Sequence, residues 1–158
     1  MSYPAFSLRD VTTILLRPVE LTDLDAFFAY ESEPEGRRRA VFPERDRETF
    51  MTHWKTRILA GPDVRARTVL VDGEVAGNIL SWSQDGRQMV GYWYGQRFWG
   101  RGIGSLALAE YVKEMPDRPL YADTVEGNIG SIRVLERCGF ARIDSDEEGI
   151  ALFVLGAE

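Results

Sequence analysis

Apolar positions along the chain change their spacing several times, and each change predicts an element. The run Ile14-Leu15-Leu16, broken at Pro18, predicts a strand from Thr12 to Val19. Thr22 can cap the helix that follows, where Asp23 and Asp25 suit the positive end and Leu24, Phe27 and Phe28 form one apolar face. Glu31 to Pro43 is charged without a period and reads as a loop. Phe50, Trp54 and Ile58 return at helical spacing and predict a second helix over Arg45 to Leu59, ended by Gly61-Pro62.

The period then shortens. Arg67 to Val71 and Glu74 to Ser81 flank Asp72-Gly73, a strong hairpin signal, and Gln84-Asp85-Gly86 marks a second turn into Gln88 to Tyr94. After Gly100-Arg101-Gly102-Ile103-Gly104 the helical period resumes over Ser105 to Met115 and stops at Pro116. Leu120 to Val125 reads as a strand, Ser131 to Arg137 as a short helix closed by Gly139, and Ile150 to Leu155 as a last strand. The order β-α-α-β-β-β-α-β-α-β-β predicts an α/β fold of the α+β type. Its sheet is mixed and mostly antiparallel, of about six or seven strands, with about four helices shared between its faces. Neither repeat nor linker divides residues 1–158, so one domain is expected. An exposed edge at Ile150 to Leu155 leaves a homodimer open.

Composition narrows the function. The net charge of −6 argues against nucleic acid, whose partners present a basic face. Arg37-Arg38-Arg39, the one basic run, lies among Glu31, Glu33, Glu35 and Glu44 and reads as a solvated charged loop. No apolar stretch approaches membrane-spanning length, and the first residues lack the pattern of a secretory leader. With Cys138 as the single cysteine, a cytoplasmic location is expected. No metal-ligand spacing is present.

The chemistry concentrates between Tyr92 and Ser131. Closely spaced glycines at a helix start let backbone N–H groups approach a phosphate, and Arg97 and Arg101 bring local positive charge to an acidic chain. The alternative is a turn that needs glycine only for tight strand–helix packing. Gly95 to Gly102 lacks the lysine and hydroxyl of a nucleotide P-loop, and a dinucleotide fingerprint would need glycine at Ser105.

The stretch from Gly91 through Tyr92-Trp93-Tyr94 to Gly100-Arg101-Gly102-Ile103-Gly104 resembles the acetyl-CoA motif of the GNAT superfamily of N-acetyltransferases. The Trp99-Gly100 variant is that of the ribosomal-protein N-acetyltransferase branch. Asn128, then Ser131 to Glu136 and Arg137-Cys138-Gly139-Phe140, resembles the second half of the signature. The resemblance implies acetyl transfer from acetyl-CoA to a primary amine, with no metal. It places Tyr92, Trp93 and Tyr94 on the strand that pairs with pantetheine. It puts Arg101, Gly102, Ile103, Gly104 and Ser105 around the pyrophosphate, Asn128 on the pantetheine arm and Ser131 against the cofactor. Trp99 stands where the family more often has Gln or Arg, and Leu135 where many members have a proton-donating tyrosine.

Direct attack by an amine needs no protein nucleophile, and Cys138 reads as packing. Catalysis then rests on positioning, oxyanion stabilisation and proton transfer. Backbone N–H groups near Tyr92 are the expected oxyanion donors. Asp123 stands where some relatives carry a catalytic glutamate; it is the base, or a strand-end carboxylate with a structural bond. His53 beside Trp54 reads more readily as packing, and Tyr30, Phe42 and Trp82 are core or lining of the acceptor pocket. The acceptor is a protein α-amino group or a small-molecule amine. A non-catalytic CoA-binding module is the reading from another class.

Overall fold

The computed structural model describes residues 12–156. Strands β1 (Ile14–Pro18), β2 (Arg65–Val71), β3 (Glu74–Gln84), β4 (Arg87–Tyr94), β5 (Leu120–Val125), β6 (Ala141–Ile143) and β7 (Ile150–Leu155) form one seven-stranded sheet in the order β1-β2-β3-β4-β5-β7-β6. Only β4 and β5 pair in parallel; the other neighbours are antiparallel. The two expected hairpins form on local chemistry. Asp72-Gly73 and Asp85-Gly86 all take positive φ, from 50° to 83°, as a two-residue turn between right-twisted strands requires.

Helices α1 (Leu24–Glu31), α2 (Pro34–Ala40), α3 (Arg47–His53), α4 (Ile103–Glu114) and α5 (Ile129–Arg137) cover the two faces. On one, Ile103, Leu108 and Tyr111 of α4 and Leu135 of α5 bury against Val69, Ile79, Val90 and Leu120. On the other, Leu24, Phe27, Phe50, Trp54 and Ile58 form a second cluster against Val75 and Leu80. Strand alternation lets β2 and β3 serve both clusters, with Val69 and Ile79 on one face and Ala66 and Leu80 on the other.

Four expectations change. The segment read as a charged loop, Glu31 to Pro43, contains α2. This helix has no apolar period because it is seated differently: Pro34 opens it, Glu35 pairs with Arg38 and Arg39, and buried Gly36 meets Trp93. The second predicted helix divides at Trp54, from which Trp54–Ile58 continues as a π-helical turn. The chain enters α1 through a 3-10 turn at Leu21–Asp23. Asp23 is buried there, bonded to Arg17 and Thr68, and Thr22 is not the cap. Finally, β7 is no edge: three residues of β6 pair along it. The edge role falls to β6, too short to be recognised from alternation.

Candidate active site

The parallel pairing of β4 and β5 consists of Gln88 with Leu120 and Met89 with Tyr121. Beyond those residues the strands diverge, while β4 stays paired with β3 as far as Tyr94. The Gly95 N–H bonds Ala76 O at 2.9 Å, so by ladder alternation Trp93 and Gly91 also turn their polar groups toward β3. Tyr92 and Tyr94 turn theirs the other way, into the wedge that β5 leaves open. The indole Nε1 of Trp99 donates to Tyr94 O at 3.1 Å, which occupies one of these groups. The Tyr92 N–H and C=O and the Tyr94 N–H remain for a ligand lying along the strand.

Helix α4 points its N-terminus at the same wedge. Gly100 and its N-cap Gly102 have φ of 75° and 73°, and a Cβ on either would meet nothing within 4 Å. The first intrahelical bond runs from Leu106 N–H to Gly102 O, which leaves the N–H groups of Ile103, Gly104 and Ser105 unpaired at the positive end of the helix dipole. Gly104 has a second duty: a Cβ there would lie 3.1 Å from Val134 Cγ2 of α5. Strand wedge and helix end together bound a cleft of about 470 Å³.

Hydroxyl groups line this cleft. The phenol of Tyr92 lies 2.9 Å from Ser131 Oγ and donates to Ser131 O at 3.2 Å, and burial raises its pKa well above the usual phenol value. The Tyr94 hydroxyl and Ser105 Oγ are buried with no hydrogen-bond partner among the described residues, and burial raises the Tyr94 phenol too. Asn128, which lines the cleft, caps α5 by accepting from Ser131 N–H at 3.4 Å, so its amide NH2 is not used by the cap. A free strand edge and an open glycine cradle under unpaired N–H groups fit a long ligand with an amide-bearing arm and a phosphate end.

The positive charge comes from places other than expected. Arg97 pairs with Glu74 at 3.1 Å and lies over the Phe98 ring, and Arg101 pairs with Asp72 at 3.6 Å. Neither lines the cleft; acidic residues of the β2–β3 turn, distant in sequence, draw both aside. Arg39 of α2 and Arg133 and Arg137 of α5 line it instead. No carboxylate pairs with Arg133 or Arg137 among the described residues. The spacing of the two on α5 places them on one helix face, a signal present in the sequence. Arg39 gave no such signal.

The remaining candidates lie apart from the cleft. Leu120 and Ala122 are buried in the α4–α5 core, so Asp123 stands on the opposite face, with Tyr121. Asp123 is exposed as a residue, and its carboxyl is raised above the ordinary value by partial desolvation and then by Glu147. Trp82 packs on Gly91, and Phe42 lies edge-on to Trp93 at 5.5 Å, both on that same face. Tyr30 is structural: its hydroxyl donates to Val75 O at 2.6 Å and its carbonyl accepts from Trp93 Nε1. His53 on α3 is held toward the neutral form by burial and then by Arg45. Cys138 donates to Ser105 O at 3.3 Å, and burial raises its thiol pKa. Leu135 is 1% exposed in the core. Among the described residues no group of three or more His, Cys, Asp or Glu side chains is arranged to hold a metal. No helix among them is long and apolar enough to cross a membrane.

A wedge between parallel strands facing a glycine-capped helix is a cleft shaped for an extended ligand with an anionic end. Residues 13–141 match the model of the acetyltransferase (GNAT) domain, and the chain belongs to the GNAT acetyltransferase family. It is by class an acyltransferase. No curated protein matches the sequence closely enough to count as a relative. Solved structures share the fold. A domain from Methanocaldococcus jannaschii DSM 2661 is 20% identical, covers 92% of this chain and 99% of its own, and has a TM-score of 0.77. RimL, a ribosomal L7/L12 α-N-protein acetyltransferase in complex with coenzyme A, is 17% identical over 90% of this chain and 93% of its own, at 0.74. The aminoglycoside acetyltransferase AAC(6')-Ib in complex with coenzyme A is 19% identical over 90% and 93%, also at 0.74. At these identities the likeness is one of fold.

Proposed function

We propose that this protein transfers the acetyl group of acetyl-CoA to a primary amine by direct attack, with a protein α-amino group as the acceptor. The observation that carries this reading is the wedge, where the free edge of β4 runs toward the unpaired N–H groups of α4. Acetyl-CoA supplies an activated acyl carbon and a thiolate leaving group of modest basicity, near ~8.5 by analogy with cysteine.

The chain's residues divide the remaining work. Tyr92 and Tyr94 offer backbone groups to the pantetheine arm as an added strand would, and the Asn128 amide reaches the same arm. The N–H groups of Gly102, Ile103, Gly104 and Ser105 hold the pyrophosphate, with the side chain of Ser131 on the opposite wall. Trp93 backs the wedge from the other face and is seated by Tyr30. Backbone N–H at Tyr92 stabilises the oxyanion. On the acceptor face, which also carries Trp82 and Phe42, Asp123 takes the amine's proton, directly or through water. Leu135 donates nothing, and a thiolate of that basicity asks little of an acid.

Two structural neighbours are an aminoglycoside acetyltransferase and a ribosomal-protein α-N-acetyltransferase, which keeps a small-molecule amine as the competing acceptor. The discriminating experiment follows free-thiol release from acetyl-CoA with peptides bearing free or blocked N-termini and with small amines. Turnover on free N-termini supports the reading. Turnover on small amines alone replaces the acceptor, and CoA binding without turnover on any amine replaces catalysis with a binding module.

A further inference from the structure

The residue before the glycine cradle is Trp99, a neutral side chain that brings no charge to the phosphate end of the cleft. The structure puts a charge directly on top of it. The Arg39 guanidinium lies 4.5 Å from the centroid of the Trp99 ring, and both residues line the cleft. Trp99 is fixed in turn by its bond to Tyr94 O.

The rest of α2 is arranged to deliver this arginine. Gly36, one turn earlier on the same helix face, lets the helix approach so closely that a Cβ would stand 3.1 Å from Trp93 Cζ2. Glu35 accepts from Arg39 Nε at 3.0 Å, but the same carboxylate is shared with Arg38, so two guanidinium groups meet one negative charge. The Nη groups of Arg39 find no hydrogen-bond acceptor among the described residues. Arg97 and Arg101, closer in sequence to the cradle, are by contrast turned away and paired.

We propose that Arg39, carried by α2 and held on the indole of Trp99, is a positioning and specificity residue for the phosphate end of the acetyl donor, replacing from a distant segment the charge that Trp99 lacks. This rests on the acetyl-CoA reading. A planar guanidinium stacked on an indole keeps its edge donors free, a geometry that a lysine would not reproduce. The residue makes α2 part of the donor site: a phosphate bound at the α4 N-terminus is enclosed from the far wall, with Arg133 and Arg137 on α5 completing the positive rim.

Isothermal titration of CoA into the wild type and variants, repeated over a range of salt concentrations, tests this without an acceptor. Arg39→Gln is expected to weaken binding about tenfold or more at low salt, the scale of a charge-assisted contact, and to flatten the salt dependence. Trp99→Ala should reproduce much of that loss, with the double variant little worse than Arg39→Gln, since the two residues act as one unit. Arg97→Gln and Arg101→Gln should stay within about twofold of wild type, because neither side chain lines the cleft. Wild-type affinity in Arg39→Gln, or an equal loss in Arg101→Gln, overturns the proposal. A wild-type protein that does not bind CoA fails the acetyl-CoA reading itself, so the two failures are distinguishable.

Discussion

Tyr92 on β4 and Ser131 on α5 share a 2.9 Å hydrogen bond that ties the free edge of the wedge to the opposite helical wall. Tyr92→Phe removes the tie and leaves a hydroxyl that still lines the cleft. The expected cost is about 0.5–1.5 kcal/mol of stability, read from chemical denaturation. Burial raises the phenol, so the stability it contributes is fully present below its unfolded value of ~10 and is lost as pH rises through the folded value. The wild-type advantage over Tyr92→Phe should therefore hold across neutral pH and narrow above pH ~10. An advantage that varies between pH 6 and 8 contradicts this assignment.

The two inner glycines should fail differently. Gly102→Ala meets no neighbour but must hold φ near 73°, at an expected cost of ~1–2 kcal/mol, and it narrows the phosphate approach. Gly104→Val additionally pushes into Val134, so it should lower both CoA affinity and the melting temperature of the free protein. Normal CoA affinity in both variants would mean that the loop serves packing alone.

Asp123 gives a prediction with a sign. Its folded pKa is raised, so its contribution to stability is present below the unfolded value of ~3.9 and is lost as pH rises through the folded value. Asn does not ionise and keeps that contribution. Asp123→Asn should thus melt no lower than wild type at pH 7, while transfer slows below the pKa of the amine and recovers as rising pH deprotonates the acceptor. A pH-independent rate defect would remove Asp123 from proton transfer, and a lower melting temperature would assign it a structural bond.

The acceptor should be an amine of low pKa. Near pH ~7.4 an α-amino group is neutral in roughly a quarter of molecules and a lysine in about one in a thousand. A site whose one candidate base is an exposed carboxylate gains from the first and has little to offer the second. Initial rates on a peptide with a free N-terminus and one with a blocked N-terminus and internal lysines decide it. Preference for the lysines contradicts the proposal.

What could be read from the sequence was local. Asp72-Gly73 and Asp85-Gly86 fix their hairpins through their own φ preferences, and the period after Gly102 fixes α4. The glycine cradle was likewise written in adjacent residues, whereas the role of Asn128 as the cap of α5 came from the structure. What was hidden depended on long-range partners. The sequence does not show that Asp72 and Glu74 draw Arg101 and Arg97 aside, or that Arg39 stacks on an indole sixty positions away in the chain. Helix α2 escaped because ion pairs and one buried glycine replace the apolar stripe by which helices are recognised. Strand β6 escaped because three residues are too few to establish alternation.

Residue-resolved amide exchange along β4, with and without saturating acetyl-CoA, tests the central claim most directly. The N–H of Trp93 already belongs to the β3–β4 ladder and should exchange at nearly the same rate in both states. The N–H groups of Tyr92 and Tyr94 face the wedge and should become protected when the donor lies along the strand, together with those of Ile103, Gly104 and Ser105. Binding that leaves Tyr92 and Tyr94 unprotected, or no binding, would contradict the account.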